Sequence, residues 1–199
     1  MERNFEELES VKGFKVETLE IAGLYSVLEA LHLPFGGDTT GMGHFESKTT
    51  MLDKEKKYNS VSTFVSQVAM TNSDMKLIHT LIKRGDEHGK CIRGIEVYAK
   101  MTAPRYWWQE MDTYKVGVTP LGSNSTMHQQ CKGMDTYDLV KTKEELPEKT
   151  MQTRIKVYSY QTLRRIYFQR RNHRLPQWHQ FCTWIESLPF ADEFITFEK

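Results

Sequence analysis

The sequence contains no apolar run of about 18 residues, so no membrane-spanning helix is expected. Its N-terminus, MERNFEELESVK, is acidic and has no apolar core, which argues against a secretory leader. Cysteine is scarce. Cys91, Cys131 and Cys182 are odd in number and far apart, so they read as free thiols in a reducing, cytoplasmic setting. Internal repeats and long low-complexity stretches are absent. Neither G-x-x-x-x-G-K-[ST] nor G-x-G-x-x-G occurs. The glycine-rich run FGGDTTGMG (35–43) therefore reads as a surface loop or subunit contact rather than a phosphate cradle. These absences set aside secreted, membrane-spanning, collagenous and disulfide-scaffold classes.

What is present suits one domain. The 199 residues are 39% hydrophobic and 27% charged, enough to bury a core without covalent staples. The net charge of +1 hides an asymmetry. Residues 1–50 hold nine acids and four bases. Residues 151–174 hold seven bases (Arg154, Lys156, Arg164, Arg165, Arg170, Arg171, Arg174) and no acid. Such a block either attracts an anion or is a solvated face neutralised by the acidic N-terminal part.

Rough alternation in FKVETLEI (14–21) predicts a strand. Leu24, Val27, Leu28 and Leu31 recur at helical spacing over 22–32, and Pro34 stops that helix. The stretch 36–60 reads as a loop insertion, with a charged patch at Lys54–Lys57; residues 58–70 are ambiguous. Asn72, Ser73 or Asp74 caps a helix to about Arg84, with Leu77, Ile78, Leu81 and Ile82 as its stripe and Gly85 at its end. Asp86 caps a short second helix. A strand over 91–101 places Ile95, Val97, Ala99 and Met101 on one face. Thr102 and Pro104 start the helix RYWWQEM. Residues 112–131 look irregular. TRIKVY (153–158) alternates as a strand, Ser159 caps a helix over 160–172, and Pro176 starts a last helix that Pro189 ends. The fold class is α+β: a single domain over 1–199 with a small mixed or antiparallel sheet flanked by helices.

Few residues carry chemistry by spacing alone. His88 with Cys91, and His173 with His179 and Cys182, lack the further ligands a zinc site needs, so no metal is expected. Neither group identifies a Cys–His catalytic pair, and the catalytic residues are left unassigned. Arg170 is more telling. It follows Leu163 by seven and Ile166 by four, so it falls on the apolar stripe of its helix. A cation there needs an anionic ligand, an internal carboxylate or a route to solvent. Three adjacent aromatics, Tyr106, Trp107 and Trp108, cannot share one helix face. They serve either the core and a subunit interface or a stacked flat ligand such as an isoalloxazine ring.

These residues carry a resemblance. Gly85-Asp86-Glu87-His88, a strand, and Arg105-Tyr106-Trp107-Trp108 resemble the flavin-dependent thymidylate synthases, whose second segment reads RQWxRHRxxSxNExSxRY. Leu146-Pro147, the strand 153–158, Ser159-Tyr160-Gln161-Thr162-Leu163 and Arg170 are similar to the family's second conserved element. RRNHRLPQWHQFCTWIESLP (170–189) looks like a divergent branch found in bacteria and phages. The resemblance spans roughly 75–187. It implies an α/β homotetramer with active sites between subunits. FAD takes electrons from NADPH there, and a one-carbon unit passes from methylenetetrahydrofolate to dUMP. Carried over by position, it implies FAD contacts from His88, Arg105, Trp107, Trp108, Gln109 and Ser159. It implies nucleotide contacts from Ser123, Ser125, Arg170 and Arg171.

The chain departs from that pattern. Gln109-Glu110-Met111 stands where the family has RHR, and Met127 or His128 stands where it has an arginine. Three readings stay open. One is a dUMP methyltransferase; another is a nucleotide-binding module without turnover. The third is an interaction protein using Arg164, Arg165, Arg171 and Arg174 on phosphates. The near-neutral pI of 7.7 weighs against nucleic acid as the partner.

Overall fold

The computed structural model describes residues 8–35, 45–46, 67–68, 70–124 and 126–198. The expected loop run 35–43, the charged patch at 54–57 and Ser125 fall wholly or almost wholly outside these. So does most of the 36–60 insertion.

The element order is α1 (Glu9–Lys12), β1 (Lys15–Ala22), α2 (Leu24–His32), β2 (Phe45–Glu46), β3 (Gln67–Val68), α3 (Asn72–Lys83), β4 (Glu96–Pro104), α4 (Arg105–Met111), β5 (Val118–Ser123), α5 (Thr126–Gln130), α6 (Thr136–Glu144), β6 (Met151–Ser159), α7 (Tyr160–Arg170) and α8 (Pro176–Glu186). The main sheet runs β1-β4-β6-β5, with every neighbouring pair antiparallel, and β2 and β3 form a separate two-stranded ladder. The α+β single-domain expectation holds, and the sheet is antiparallel throughout.

The core forms where period-2 and period-3.6 stripes meet. Val97, Ala99, Met101 and Ala103 alternate along β4 and are all buried. α4 follows directly, with Pro104 fixing its entry, and turns Trp107, Trp108 and Met111 onto the same core. Trp107 sits among the rings of Phe14, Trp108, Trp178 and Phe181 at centroid distances of 5.1, 5.1, 4.7 and 5.8 Å. α7 and α8 close the cluster through Tyr160, Leu163, Ile166, Trp178, Phe181 and Ile185.

Several local expectations are corrected. Thr71, not residues 72–74, caps α3. Its hydroxyl accepts from the Asp74 amide, and the Asp74 carboxylate accepts from the Thr71 amide, a reciprocal capping box. Asp86 opens a turn, not a helix, and a 3-10 segment over Gly89–Gly94 follows it. α7 stops at Arg170. Residues 112–131 are not irregular: they hold β5 and α5. α6 follows without having been expected, and so does a π-helical turn at Asp192–Thr196.

Candidate functional site

β6 determines where charge meets the core. Its register pairs Val97 with Tyr158, Ala99 with Lys156, Met101 with Arg154 and Ala103 with Gln152. The β4 partners are core residues, so Gln152, Arg154 and Lys156 form a polar row on the face the helices cover. Lys156 is only 5% exposed. Both cations lie over the Trp108 ring, 4.5 Å away for Arg154 and 5.2 Å for Lys156.

Asp112, just past the end of α4, neutralises part of this row. Lys156 Nζ donates to Asp112 Oδ1 at 2.6 Å, and Arg154 Nη1 donates to Oδ2 at 2.7 Å. Arg154 also gives Nε and Nη2 to Gln152 Oε1, at 3.0 and 2.8 Å. Two cations therefore share one carboxylate. They floor a groove of about 670 Å3 whose walls include Tyr114, Val118, Pro120, Leu121 and Ser123. Tyr114 ties the wall to α7, since Arg170 Nε donates to its hydroxyl at 2.7 Å. The groove has the make-up of an anion site: an apolar lip, a hydroxyl and a net positive floor.

Partial burial raises the Asp112 pKa, but hydrogen bonds and attraction from Lys156 and Arg154 outweigh it and hold the carboxyl below its ordinary value. A depressed folded pKa gives stability that is present above the unfolded value and lost as pH falls through the folded one. The wild-type melting midpoint is therefore expected to fall more steeply below about pH 4 than that of Asp112→Asn. Parallel melting curves across that range would remove Asp112 from this role.

The residues expected to cradle FAD do not converge on one cavity. Trp107 and Trp108 are 0% and 1% exposed, so neither offers a face to an isoalloxazine ring. This corrects the stacking expectation in favour of its core alternative. Arg105 donates to the Leu146 carbonyl at 3.0 Å and lies 3.7 Å from Glu148. Gln109 Nε2 donates to Glu148 at 3.0 Å. His88 is exposed in a turn. The Ser159 hydroxyl accepts from the Thr162 amide as the cap of α7. It lines a separate pocket of about 320 Å3 with Arg93, Gly117, Gln161 and Arg165. Within a single chain these six side chains do not fit a flavin.

Among the expected nucleotide contacts, Ser123 lies on the groove. Arg170 does not open into it as a free cation: Nη1 donates to Glu110 at 2.7 Å, and its guanidinium lies 4.5 Å from the Trp178 ring. The internal-carboxylate alternative is the one realised. Arg171 pairs with Glu198 at 2.8 Å, away from the groove. No cluster of three metal-ligating side chains exists among the described residues. Burial, helped by Glu186, pushes the Cys182 thiol up to about 12, which makes it a poor nucleophile.

The sequence reading missed Asp112, Tyr114 and Gln152, and it counted Arg154 and Lys156 in the basic block without placing them in the groove. One signal was available. Gln152, Arg154, Lys156 and Tyr158 share a strand face by period 2, so counting bases concealed a row.

No family model matches the chain, and no curated protein sequence does. Solved structures do. The flavin-dependent thymidylate synthase ThyX from Helicobacter pylori, complexed with FAD and dUMP, aligns at TM-score 0.59 and 10% identity, over 91% of this chain and 97% of that one. A second Helicobacter pylori ThyX structure with FAD and dUMP aligns at 0.59 and 10%, over 92% and 96%. The UMP/dUMP methylase PolB from Streptomyces cacaoi, bound with 5-Br dUMP, aligns at 0.56 and 13%, over 92% and 94%. At these identities the likeness concerns architecture alone: the chain has the fold of the flavin-dependent thymidylate synthases.

Proposed function

We propose that this chain binds a uracil nucleotide such as dUMP or UMP in the β5–β6 groove, on a thymidylate-synthase-like scaffold. The observation that carries this reading is the shared counter-ion: among the described residues Arg154 and Lys156 both meet the single carboxylate of Asp112, at the floor of an open groove. The nucleotide phosphate takes the residual positive charge, with Ser123 as a hydroxyl donor. Val118, Pro120 and Leu121 give the base an apolar wall. Neighbouring folds that carry dUMP or 5-Br dUMP support the ligand class. Self-association, up to the homotetramer implied by the resemblance, belongs to the same reading.

The test is calorimetric titration of the full chain with dUMP and UMP. Either nucleotide should bind, and a 100-fold excess over Kd should stabilise the fold by about 2.7 kcal/mol. Lys156→Met should weaken binding at least tenfold, since the remaining Arg154 is neutralised by Asp112. Absence of binding in the wild type, or unchanged affinity in Lys156→Met, would sink the assignment.

A second reading, dUMP methylation with FAD, is favoured by the two neighbours complexed with FAD and dUMP. It requires the cofactor to be held between subunits, because the six side chains expected to hold it do not converge on one cavity among the described residues of a single chain. Flavin absorbance between 300 and 550 nm surviving gel filtration after FAD addition would support it. A colourless protein that still binds dUMP would leave the binding reading alone.

A further inference from the structure

We infer that the outer side of α7 holds a second, separate site for a phosphate-bearing small molecule, with Arg164 at its floor. Four arginines lie on or just beyond this helix. Arg165, Arg170 and Arg171 each have a carboxylate, namely Asp86 at 2.5 Å, Glu110 at 2.7 Å and Glu198 at 2.8 Å. Arg164 is 8% exposed and has no carboxylate within ion-pair distance among the described residues.

Arg164 is held in place instead. Its Nη1 donates to the carbonyl oxygens of Ile195 at 2.6 Å and Phe197 at 2.8 Å. The guanidinium lies between two rings, 4.4 Å from Phe197 and 4.7 Å from Phe168. Nε and Nη2 find no partner among the described residues. A buried cation without a counter-ion is costly, and burial pulls this one below the usual arginine range while Asp86 pulls the other way. Fixing it by one nitrogen leaves a preorganised fork for an anion.

Arg164 lines a cavity of about 550 Å3. Arg165 and Arg171 frame it together with their partners Asp86 and Glu198, and Gln169 lies exposed on its wall. Asp86 and Glu198 offset Arg165 and Arg171, so the net positive charge facing the cavity is that of the Arg164 fork, whose two parallel donors match two oxygens of a phosphate. None of these residues lines the β5–β6 groove, so the inference does not rest on the reading of that groove.

Inorganic pyrophosphate is the probe, titrated calorimetrically into the full chain already saturated with dUMP. Pyrophosphate should bind, and citrate should bind at least tenfold more weakly. Arg164→Lys keeps the charge and loses the fork, and should weaken pyrophosphate at least tenfold. Gln169→Glu adds a negative charge at an exposed position without touching the core, and should weaken it comparably even if Arg164→Lys fails to fold. Lys156→Met should leave pyrophosphate affinity unchanged. No pyrophosphate binding, wild-type affinity in Gln169→Glu, or loss confined to Lys156→Met would each overturn the site. Equal affinity for citrate would overturn the phosphate class. A chain that binds pyrophosphate and no dUMP would refute the groove and leave this site standing.

Discussion

Trp107→Ala is expected to lower the unfolding free energy by about 3–5 kcal/mol, the range for emptying a fully buried aromatic site. Trp107 has no exposed surface and packs against Phe14, Trp108, Trp178 and Phe181, which come from three separate segments of the chain. No small shift of one element can refill that volume. Trp107→Phe is the informative companion. Trp107 Nε1 is buried with no hydrogen-bond partner among the described residues, so removing it relieves an unpaired donor while most of the ring remains. That variant should cost only about 1 kcal/mol. Trp108→Phe should cost more, about 2 kcal/mol, because Trp108 Nε1 donates to the Gln152 carbonyl at 2.9 Å and its ring lies under Arg154 and Lys156. Urea unfolding followed by far-ultraviolet circular dichroism measures all three. A Trp107→Phe loss as large as that of Trp107→Ala would mean the indole nitrogen is satisfied after all.

The elements that build this cluster were legible because each carries its own period. β4 alternates cleanly, α3 repeats at helical spacing, and Pro104 and Pro176 mark helix starts. β5 has no such signature. Five of its six residues are exposed, and VTPLGS contains a proline and a glycine that disfavour a strand in isolation. It is a strand because β6 offers it a ladder, with a register shift between Pro120 and Gly122 to absorb the misfit. α6 buries no side chain, so no stripe announces it, and the visible signal is the Asp135 cap accepting from the Asp138 amide.

The site was less legible than the fold for a related reason. Helical spacing correctly marked Arg170 as a cation in need of an anion. What it met is Glu110, sixty positions earlier, a residue first read only as one of the three that stand where the family has RHR. Lys156 and Arg154 were counted in the basic block, but their value depends on Asp112 arriving from the end of α4, more than forty residues away. Pattern along one strand reveals a row; tertiary register decides whether that row is solvated or paired.

The Glu110–Arg170 pair yields the second large effect. Glu110 Oε2 accepts from Arg170 Nη1 at 2.7 Å and from Trp178 Nε1 at 2.9 Å, and His173 Nε2 lies 3.5 Å away. Arg170 in turn rests on Trp178 and donates to Tyr114, so one charge pair ties α4, α7, α8 and the groove wall together. Arg170→Met keeps much of the stem packing and removes the charge. It should destabilise the fold by about 2–4 kcal/mol, below the full cost of an orphaned buried charge because Glu110 is partly solvated. Glu110→Gln alone keeps an acceptor for the indole and strands the arginine instead. The double variant should be more stable than Arg170→Met, by about 1–2 kcal/mol, since removing both charges leaves neither partner uncompensated. A double-mutant cycle by urea denaturation tests this. Strictly additive losses would show that the two side chains do not depend on each other. Loosening Tyr114 should also weaken nucleotide binding in Arg170→Met, and this second readout distinguishes an arginine that positions the groove wall from one that only holds helices together. If Arg170→Met loses stability and keeps wild-type dUMP affinity, the pair serves the fold alone and the groove owes nothing to it.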